Sequence, residues 1–165
     1  MERPVFTRDG IRKFHDWTHA SLTLLLDHLS TIPVSAYTRE LPGFGRPTVQ
    51  QQVIHIFNCE GSWIHVLQGI PFRRRTPDDC PDVSRARLLQ QEVSEQTLAY
   101  LSGVSDQQLI CNTELRFPDG AVDVRTPALV LHHVLTHAFH HKGQVVAMCR
   151  LLGHPAPDTD LHQFV

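Results

Sequence analysis

The sequence predicts an all-α protein: an antiparallel four-helix bundle with a small β-hairpin between the third and fourth helices. Apolar residues recur at three- and four-residue steps in four long segments, which is the period of a helix. Two near-alternating runs on either side of Pro118-Asp119-Gly120 predict the hairpin. The 165 residues are most simply a single domain spanning 1–165, long enough to bury a core without disulfides.

The first predicted helix begins at Thr7 or Asp9 and runs to Ser30. Its helical repeat consists of Ile11, Phe14, Thr18, Leu22, Leu25 and Leu29. Pro33 ends it, because proline cannot continue a helix. The segment that follows, VSAYTRELPGFGRP, is predicted to be a loop.

The second predicted helix begins at Thr48, with Gln51 three residues on in a capping-box pattern. Its apolar stripe consists of Val49, Val53, Ile56, Trp63 and Leu67. Gly69-Ile70-Pro71 ends it, and residues 77–81, bounded by prolines, are predicted to be a loop.

The third predicted helix begins near Asp82 or Ser84 and ends at Gly103. Its apolar stripe consists of Leu88, Val93, Leu98 and Leu101. The hairpin strands are predicted within residues 109–117 and 121–125. The fourth predicted helix is capped by Thr126 and begins at Pro127. It ends at Leu152, before Gly153.

Charge and composition argue against several classes of protein. A net charge of −2 and a pI of about 6.6 give no basic field for nucleic acid or an anionic membrane. The basic run Arg73-Arg74-Arg75 lies in a loop, where a solvated turn is favoured over a phosphate-binding patch. No apolar run reaches membrane-spanning length, and the charged N-terminus lacks a signal-peptide core, so we expect a cytoplasmic protein. The four scattered cysteines include no Cys-x-x-Cys pair.

Histidine is the unusual feature of the composition, since twelve histidines stand against two lysines. Five of them lie in LVLHHVLTHAFHHKGQVVAM, residues 129–148, which otherwise has the pattern of a buried helix. At about 100° per residue, His137 and His141 adjoin its apolar arc, so both can reach into the bundle. Two imidazoles four residues apart on a helix can bind one metal ion, although by spacing alone such a pair is more often a boundary feature of an amphipathic helix. His55, beside the apolar stripe of the second helix, is the favoured third ligand.

The spacing leaves alternatives open. His15 and His19 form a competing pair four residues apart in the first helix, with His15 near its apolar side. Cys59 is either a further ligand or a small buried residue, and burial is favoured. Glu60 falls near the centre of an apolar arc, so its carboxylate should be hydrogen-bonded. Lys142 also falls within an apolar arc, where it either snorkels or pairs with a carboxylate.

The C-terminal stretch HVLTHAFHHKGQVVAMCRLLGHPAPDTD resembles the signature of the DinB-like family (DinB/YfiT-like metalloenzymes). In that signature a His-x-x-x-His pair is followed by a basic residue, Gly and Gln, which here are His137, His141, Lys142, Gly143 and Gln144. Lysine stands where the family more usually has arginine, so the bidentate fork of a guanidinium is lost there.

Two further stretches extend the resemblance over nearly the whole chain. TVQQQVIHIFNCEGSWIHVLQG is similar to the family's second helix, which carries a ligand histidine, a glutamate, an aromatic residue and a closing glycine. Those residues are His55, Glu60, Trp63 and Gly69. FHDWTHASLTLLLDHL is similar to the family's opening helix.

The resemblance implies a divalent metal ion, zinc or nickel, held by His55, His137 and His141 in a protein that forms a homodimer. It disfavours the pair in the first helix as primary ligands. The residues expected to support the site are His133, His140, Glu60, Gln144 and His15. Whether His15, His19 or Cys59 joins the ligands is left open.

The resemblance also implies a chemistry. Family members with an assigned activity include S-transferases and an isomerase that depend on low-molecular-weight thiols. The leading hypothesis is therefore a thiol S-transferase that uses bacillithiol, mycothiol or glutathione on a small-molecule substrate. The alternatives are a metal-dependent hydrolase and a metal-binding stress-response protein without turnover. No Gly-x-Ser-x-Gly motif supports a serine nucleophile.

Overall fold

The structure is a computed structural model that describes residues 6–164. Within that range the chain forms four long helices, α1 (Arg8–Leu29), α3 (Val49–Gln68), α4 (Val83–Gly103) and α6 (Pro127–Leu151). Shorter elements are α2 (Val34–Tyr37), α5 (Asp106–Ile110), the antiparallel strands β1 (Thr113–Arg116) and β2 (Val122–Arg125), and a 3-10 turn (Leu161–Gln163). This confirms the predicted helical class with a hairpin before the last long helix. No helix in the described range has the length and apolar character needed to cross a membrane.

Each long helix begins at a side chain that caps it. Thr7, Thr48, Asp82 and Thr126 each accept a hydrogen bond from the main-chain N–H three residues further on. Such a cap stabilises a helix by roughly 1 kcal/mol, because it satisfies an N–H that has no partner within the helix. The predicted helix starts are therefore confirmed.

The four long helices surround the core in the order α1, α6, α3, α4. One apolar cluster joins the C-terminal halves of α1 and α6 to the N-terminal halves of α3 and α4. A second cluster joins the opposite halves of the same helices. The bundle therefore contains the antiparallel neighbours α1/α4 and α3/α6, and also the parallel neighbours α1/α6 and α3/α4.

Parallel neighbours need a connection that returns along the bundle. The 20 residues of α3 extend about 30 Å at 1.5 Å per residue. Residues 69–82, which we call the crossover segment, can span up to roughly 46 Å when extended. A Cβ added at Gly61 of α3 would collide with the ring of Phe72, so the missing side chain lets the crossover segment lie against α3.

Two short helices occupy segments that were predicted differently. α2 lies in the predicted loop after Pro33 and buries Tyr37. α5 includes Leu109, which the alternating pattern placed in the first strand, so β1 begins at Thr113 instead. Ser105 and its partner three residues on form a reciprocal capping box. This local cap outweighs the strand preference of a very short apolar run.

Two side chains depart from their predicted surroundings. Leu88 is 55% exposed, because the buried face of α4 follows Leu89 and Val93 instead. Lys142 is buried, and its ammonium donates to the carbonyl of Thr159 at 2.5 Å and to Ser21 Oγ at 3.1 Å. It therefore neither snorkels nor pairs directly with a carboxylate, and it fixes the C-terminal segment to the bundle.

Candidate metal centre

Three histidines meet where α3 packs against α6. His55 comes from α3, and His137 and His141 come from successive turns of α6. One ring nitrogen from each lies within 4.8 Å of the others, and their ring centroids are 4.3 to 4.8 Å apart. The Nε2 atoms of His55 and His137 are 3.1 Å apart. The structure thus brings together the three residues that were predicted as ligands.

All three imidazoles are neutral near pH 7. Burial, followed by the charge of Arg46, lowers the pKa of His55 to about 3. Burial, followed by neighbouring histidines, lowers the pKa of both His137 and His141 to about 4. A neutral imidazole offers a nitrogen lone pair, which is the form that binds a metal ion.

These lowered pKa values predict how the stability of the metal-free protein depends on pH. An unfolded histidine titrates near 6.5, so between about pH 6.5 and 4 the unfolded chain binds more protons than the folded one. The free energy of unfolding should fall as the pH drops through this window and be fully restored above it. Urea denaturation at pH 7 and pH 5 measures the fall, which should be smaller in His137→Asn. Equal falls in the two proteins would contradict this assignment.

Gln52 orients one of the three rings. His141 Nδ1 donates to Gln52 Oε1 at 2.6 Å, so the Nε2 lone pair of that ring is left for an ion. Gln52 is fully buried, and its Nε2 donates to Gln144 Oε1 at 2.8 Å and to the carbonyl of Arg46 at 3.0 Å. Gln144, predicted to support the site, is therefore linked to the ring of His141 through Gln52.

Gln52 was not among the predicted site residues. The signal that could have found it is its position, between Val49 and Val53 of the apolar stripe and three residues before His55. A polar side chain buried in such a place needs a hydrogen-bond partner, and the nearest predicted polar group is the histidine cluster.

Replacing Gln52 with alanine should weaken zinc binding about 10- to 100-fold, because the ring of His141 loses the acceptor that holds it. The matched control is Gln51→Ala, since the Gln51 side chain bonds no histidine in the described structure. Competition with a chromophoric chelator measures both affinities. An unchanged affinity for the Gln52 variant would rule out the orienting role.

Two more histidines of α6 flank the group. The ring of His140 contacts that of His141 edge-on at 4.9 Å, and its Nε2 accepts from Gln144 Nε2 at 2.9 Å. The rings of His133 and His137 are 5.5 Å apart. Both flanking side chains lie beside the three-histidine group without belonging to the set of close ligand atoms.

A separate polar cluster ties α1, α3 and α4 together inside the bundle. The buried carboxylate of Glu60 accepts hydrogen bonds from His15 and His19 at 3.0 Å each and from Thr97 at 2.7 Å. Burial alone would raise the pKa of Glu60, but the field of His19 and the two histidine hydrogen bonds hold it below its usual value. The donors of this cluster satisfy an ionised carboxylate, and none of them comes from the three-histidine group.

Cys59 lies on the same helix as His55 but outside the set of close ligand atoms. It is buried, and that burial raises the pKa of its thiol to about 11. Because metal ions bind the thiolate and not the thiol, these surroundings favour the interpretation of Cys59 as a small buried residue.

The three-histidine group has the chemistry of a divalent metal site. Its donors are neutral nitrogens, and imidazole suits zinc and nickel. Catalytic zinc sites use three protein ligands and leave one position of the ion open, and this group also supplies three. His15, His19 and Glu60 also bring one ligand atom each within 4.8 Å of the others, but there the carboxylate already accepts hydrogen bonds from both imidazoles and from Thr97.

Comparisons with known proteins give a family match and a shared fold. The model of the DinB family matches residues 1–165. Protein DinB of Bacillus subtilis (strain 168) is 21% identical over 144 residues, covering 82% of each chain. The structure of YfiT from Bacillus subtilis, described as a probable metal-dependent hydrolase with an unusual four-helix bundle topology, has a TM-score of 0.63 at 19% identity, covering 93% of each chain. A DinB-like protein from Bacillus cereus ATCC 10987 has a TM-score of 0.60 at 20% identity, covering 92% of this chain and 97% of that one. At these identities the two structures show a shared fold.

Proposed function

The chain belongs to the DinB family, and on that premise we propose that it is a metal-dependent enzyme whose ion, zinc or nickel, is held by His55, His137 and His141. The observation that carries this proposal is the convergence of three neutral imidazoles within 4.8 Å. An ion on three protein ligands keeps an open position, where it stabilises a thiolate or acidifies water.

The more specific proposal is a low-molecular-weight-thiol S-transferase. The sulfur of bacillithiol, mycothiol or glutathione would attack an electrophilic carbon, losing its proton and displacing the leaving group. Cys59, on the same helix as His55, is kept protonated by its raised pKa, so we assign the reacting sulfur to an external thiol. His133 and His140 are the side chains next to the group that we assign to receiving the thiol proton.

A second candidate is a metal-dependent hydrolase, which the description of YfiT favours. It would use the same three ligands, with water in place of the thiol. The two candidates differ in whether a thiol is consumed.

The experiment that separates them uses the zinc- and nickel-loaded protein with 1-chloro-2,4-dinitrobenzene and with p-nitrophenyl esters, each assayed with and without bacillithiol, mycothiol and glutathione. The S-transferase should show no turnover when the thiol is omitted, whereas a hydrolase should be unaffected. The variant His137→Ala is the control for metal dependence. Full metal occupancy without turnover in either assay would favour a metal-binding protein that is not an enzyme.

We also propose a homodimer, which rests on the family resemblance. Light scattering should then give twice the chain mass of 18.7 kDa at micromolar concentration. A mass of one chain would contradict it.

A further inference from the structure

A cavity of about 360 Å³ opens beside His55. This volume lies within the range of clefts that bind small molecules. His55 forms part of its wall, and Arg46 and Arg74 form another part. His55 belongs to the three-histidine group, so this one residue is shared by the cavity wall and the proposed metal position.

Arg46 and Arg74 bring two uncompensated positive charges to the cavity. In the sequence, Arg74 lies between Arg73 and Arg75, and each of those two is paired with a carboxylate, at 2.7 and 2.8 Å. Across residues 6–164, no carboxylate lies within 4.0 Å of the guanidinium of Arg46 or Arg74. Both side chains are exposed and available to a ligand.

Both arginines are carried by segments that buried amides fasten to α3. Gln52, three residues before His55, donates to the carbonyl of Arg46 at 3.0 Å. Asn58, three residues after His55, donates to the carbonyl of Arg75 at 2.7 Å and accepts from its N–H at 2.8 Å. The two amide residues are 0% and 6% exposed. The main chain at or next to each of the two arginines is therefore held at a fixed position relative to His55.

We propose that this cavity binds an oxyanion group, a carboxylate or a phosphate, of the small molecule that reacts at the metal position, and that Arg46 and Arg74 anchor it. The proposal rests on the proposed function and adds a substrate class to it: a small anionic thiol or electrophile whose charged group lies a few bonds from the reacting atom. Guanidinium groups match the paired oxygens of carboxylates and phosphates. The crossover segment brings Arg74 to the wall of the cavity.

The first arm of the test uses metal-free protein, so it does not depend on the proposed function. Inorganic phosphate and succinate are titrated into ¹⁵N-labelled protein while the arginine Nε–H signals are followed by NMR. Saturable shifts are expected at Arg46 and Arg74, and the tighter anion identifies the preferred group. The double variant Arg46→Gln/Arg74→Gln should bind roughly tenfold more weakly or worse, and Arg73→Gln is the matched control. Absence of saturable shifts with both anions, or equal binding by the double variant, would overturn the proposal.

The second arm uses a thiol that also carries a carboxylate, so that its sulfur can bind the metal ion while its anion occupies the cavity. Cobalt-substituted protein is titrated with 4-mercaptobutyrate and with the neutral 4-mercaptobutanol, and the sulfur-to-cobalt absorption is followed. The anionic thiol should bind roughly tenfold tighter to the wild type, and this preference should vanish in the double variant. Equal binding of the two thiols, or a preference that survives in the double variant, would overturn the proposal. If cobalt does not bind or neither thiol perturbs it, the proposed function fails, while the first arm still decides the anion site.

Discussion

Replacing His137 with alanine should abolish tight metal binding and, with it, all metal-dependent turnover. Only His55 and His141 would remain of the three converging donors, and two ligands hold a divalent ion weakly. The loss of zinc affinity should exceed about 100-fold, beyond the 10- to 100-fold range typical of losing a group that only orients a ligand. Metal content after dialysis and a chelator competition measure the loss.

The control is His133→Ala, on the same helix and with its ring 5.5 Å from that of His137. This variant should keep its metal content near the wild-type value and change only the rate of turnover. If His137→Ala kept one equivalent of metal at wild-type affinity, the ligand assignment would be wrong.

Replacing Glu60 with alanine should destabilise the protein by about 3–5 kcal/mol, because it removes the acceptor of a buried charged cluster. His15, His19 and Thr97 would lose the carboxylate to which all three are hydrogen-bonded. This loss is a large share of the roughly 5–15 kcal/mol that stabilises a typical domain. Urea denaturation of the metal-free protein measures it.

The control for this variant is Glu95→Ala, at an exposed position of α4, which should change stability by no more than about 0.5 kcal/mol. Zinc affinity per folded molecule should be the same in Glu60→Ala and in the wild type, because Glu60 bonds none of the three proposed ligands. A folded Glu60 variant that had lost its metal would show instead that this carboxylate belongs to the metal site.

Helix boundaries can be predicted from this sequence because capping is local. Thr48 and Thr126 cap α3 and α6 through main-chain groups only three residues away, so a short window contains the whole interaction. The capping box at Ser105 is equally local. The helix that begins there was nevertheless predicted as a strand, because Leu109 and Ile110 fit a strand as well as a helix over so few residues.

The direction of α4 relative to α3 cannot be read from the same patterns. A tight reversal and a crossover segment leave identical apolar stripes on both helices, and packing of the whole core decides between them. The consequence reaches the site, because the crossover brings Arg74 to the cavity beside His55. The sequence offers a phosphate-binding patch at the basic run only as the less favoured alternative, because the position of the crossover is not visible in it.

Spacing and burial within a helix made the three proposed ligands candidates, and the resemblance to the DinB family favoured them over His15 and His19. The partners of the supporting amides were not accessible in this way. Gln52 and Asn58 bond to main-chain groups of Arg46 and Arg75, in other segments, and main-chain groups leave no trace in residue identity. Only the packed structure shows that Gln52 bonds His141 and that Asn58 holds the segment that carries Arg75.

The ligand assignment is decided by a crystal structure of the zinc-loaded protein, with the ion located by anomalous scattering. We expect one ion with a nitrogen of His55, His137 and His141 each at about 2.0–2.1 Å and a further position open to small molecules. An ion bound instead by His15, His19 and Glu60, or His137 and His141 turned to solvent on an ordered α6, would contradict it.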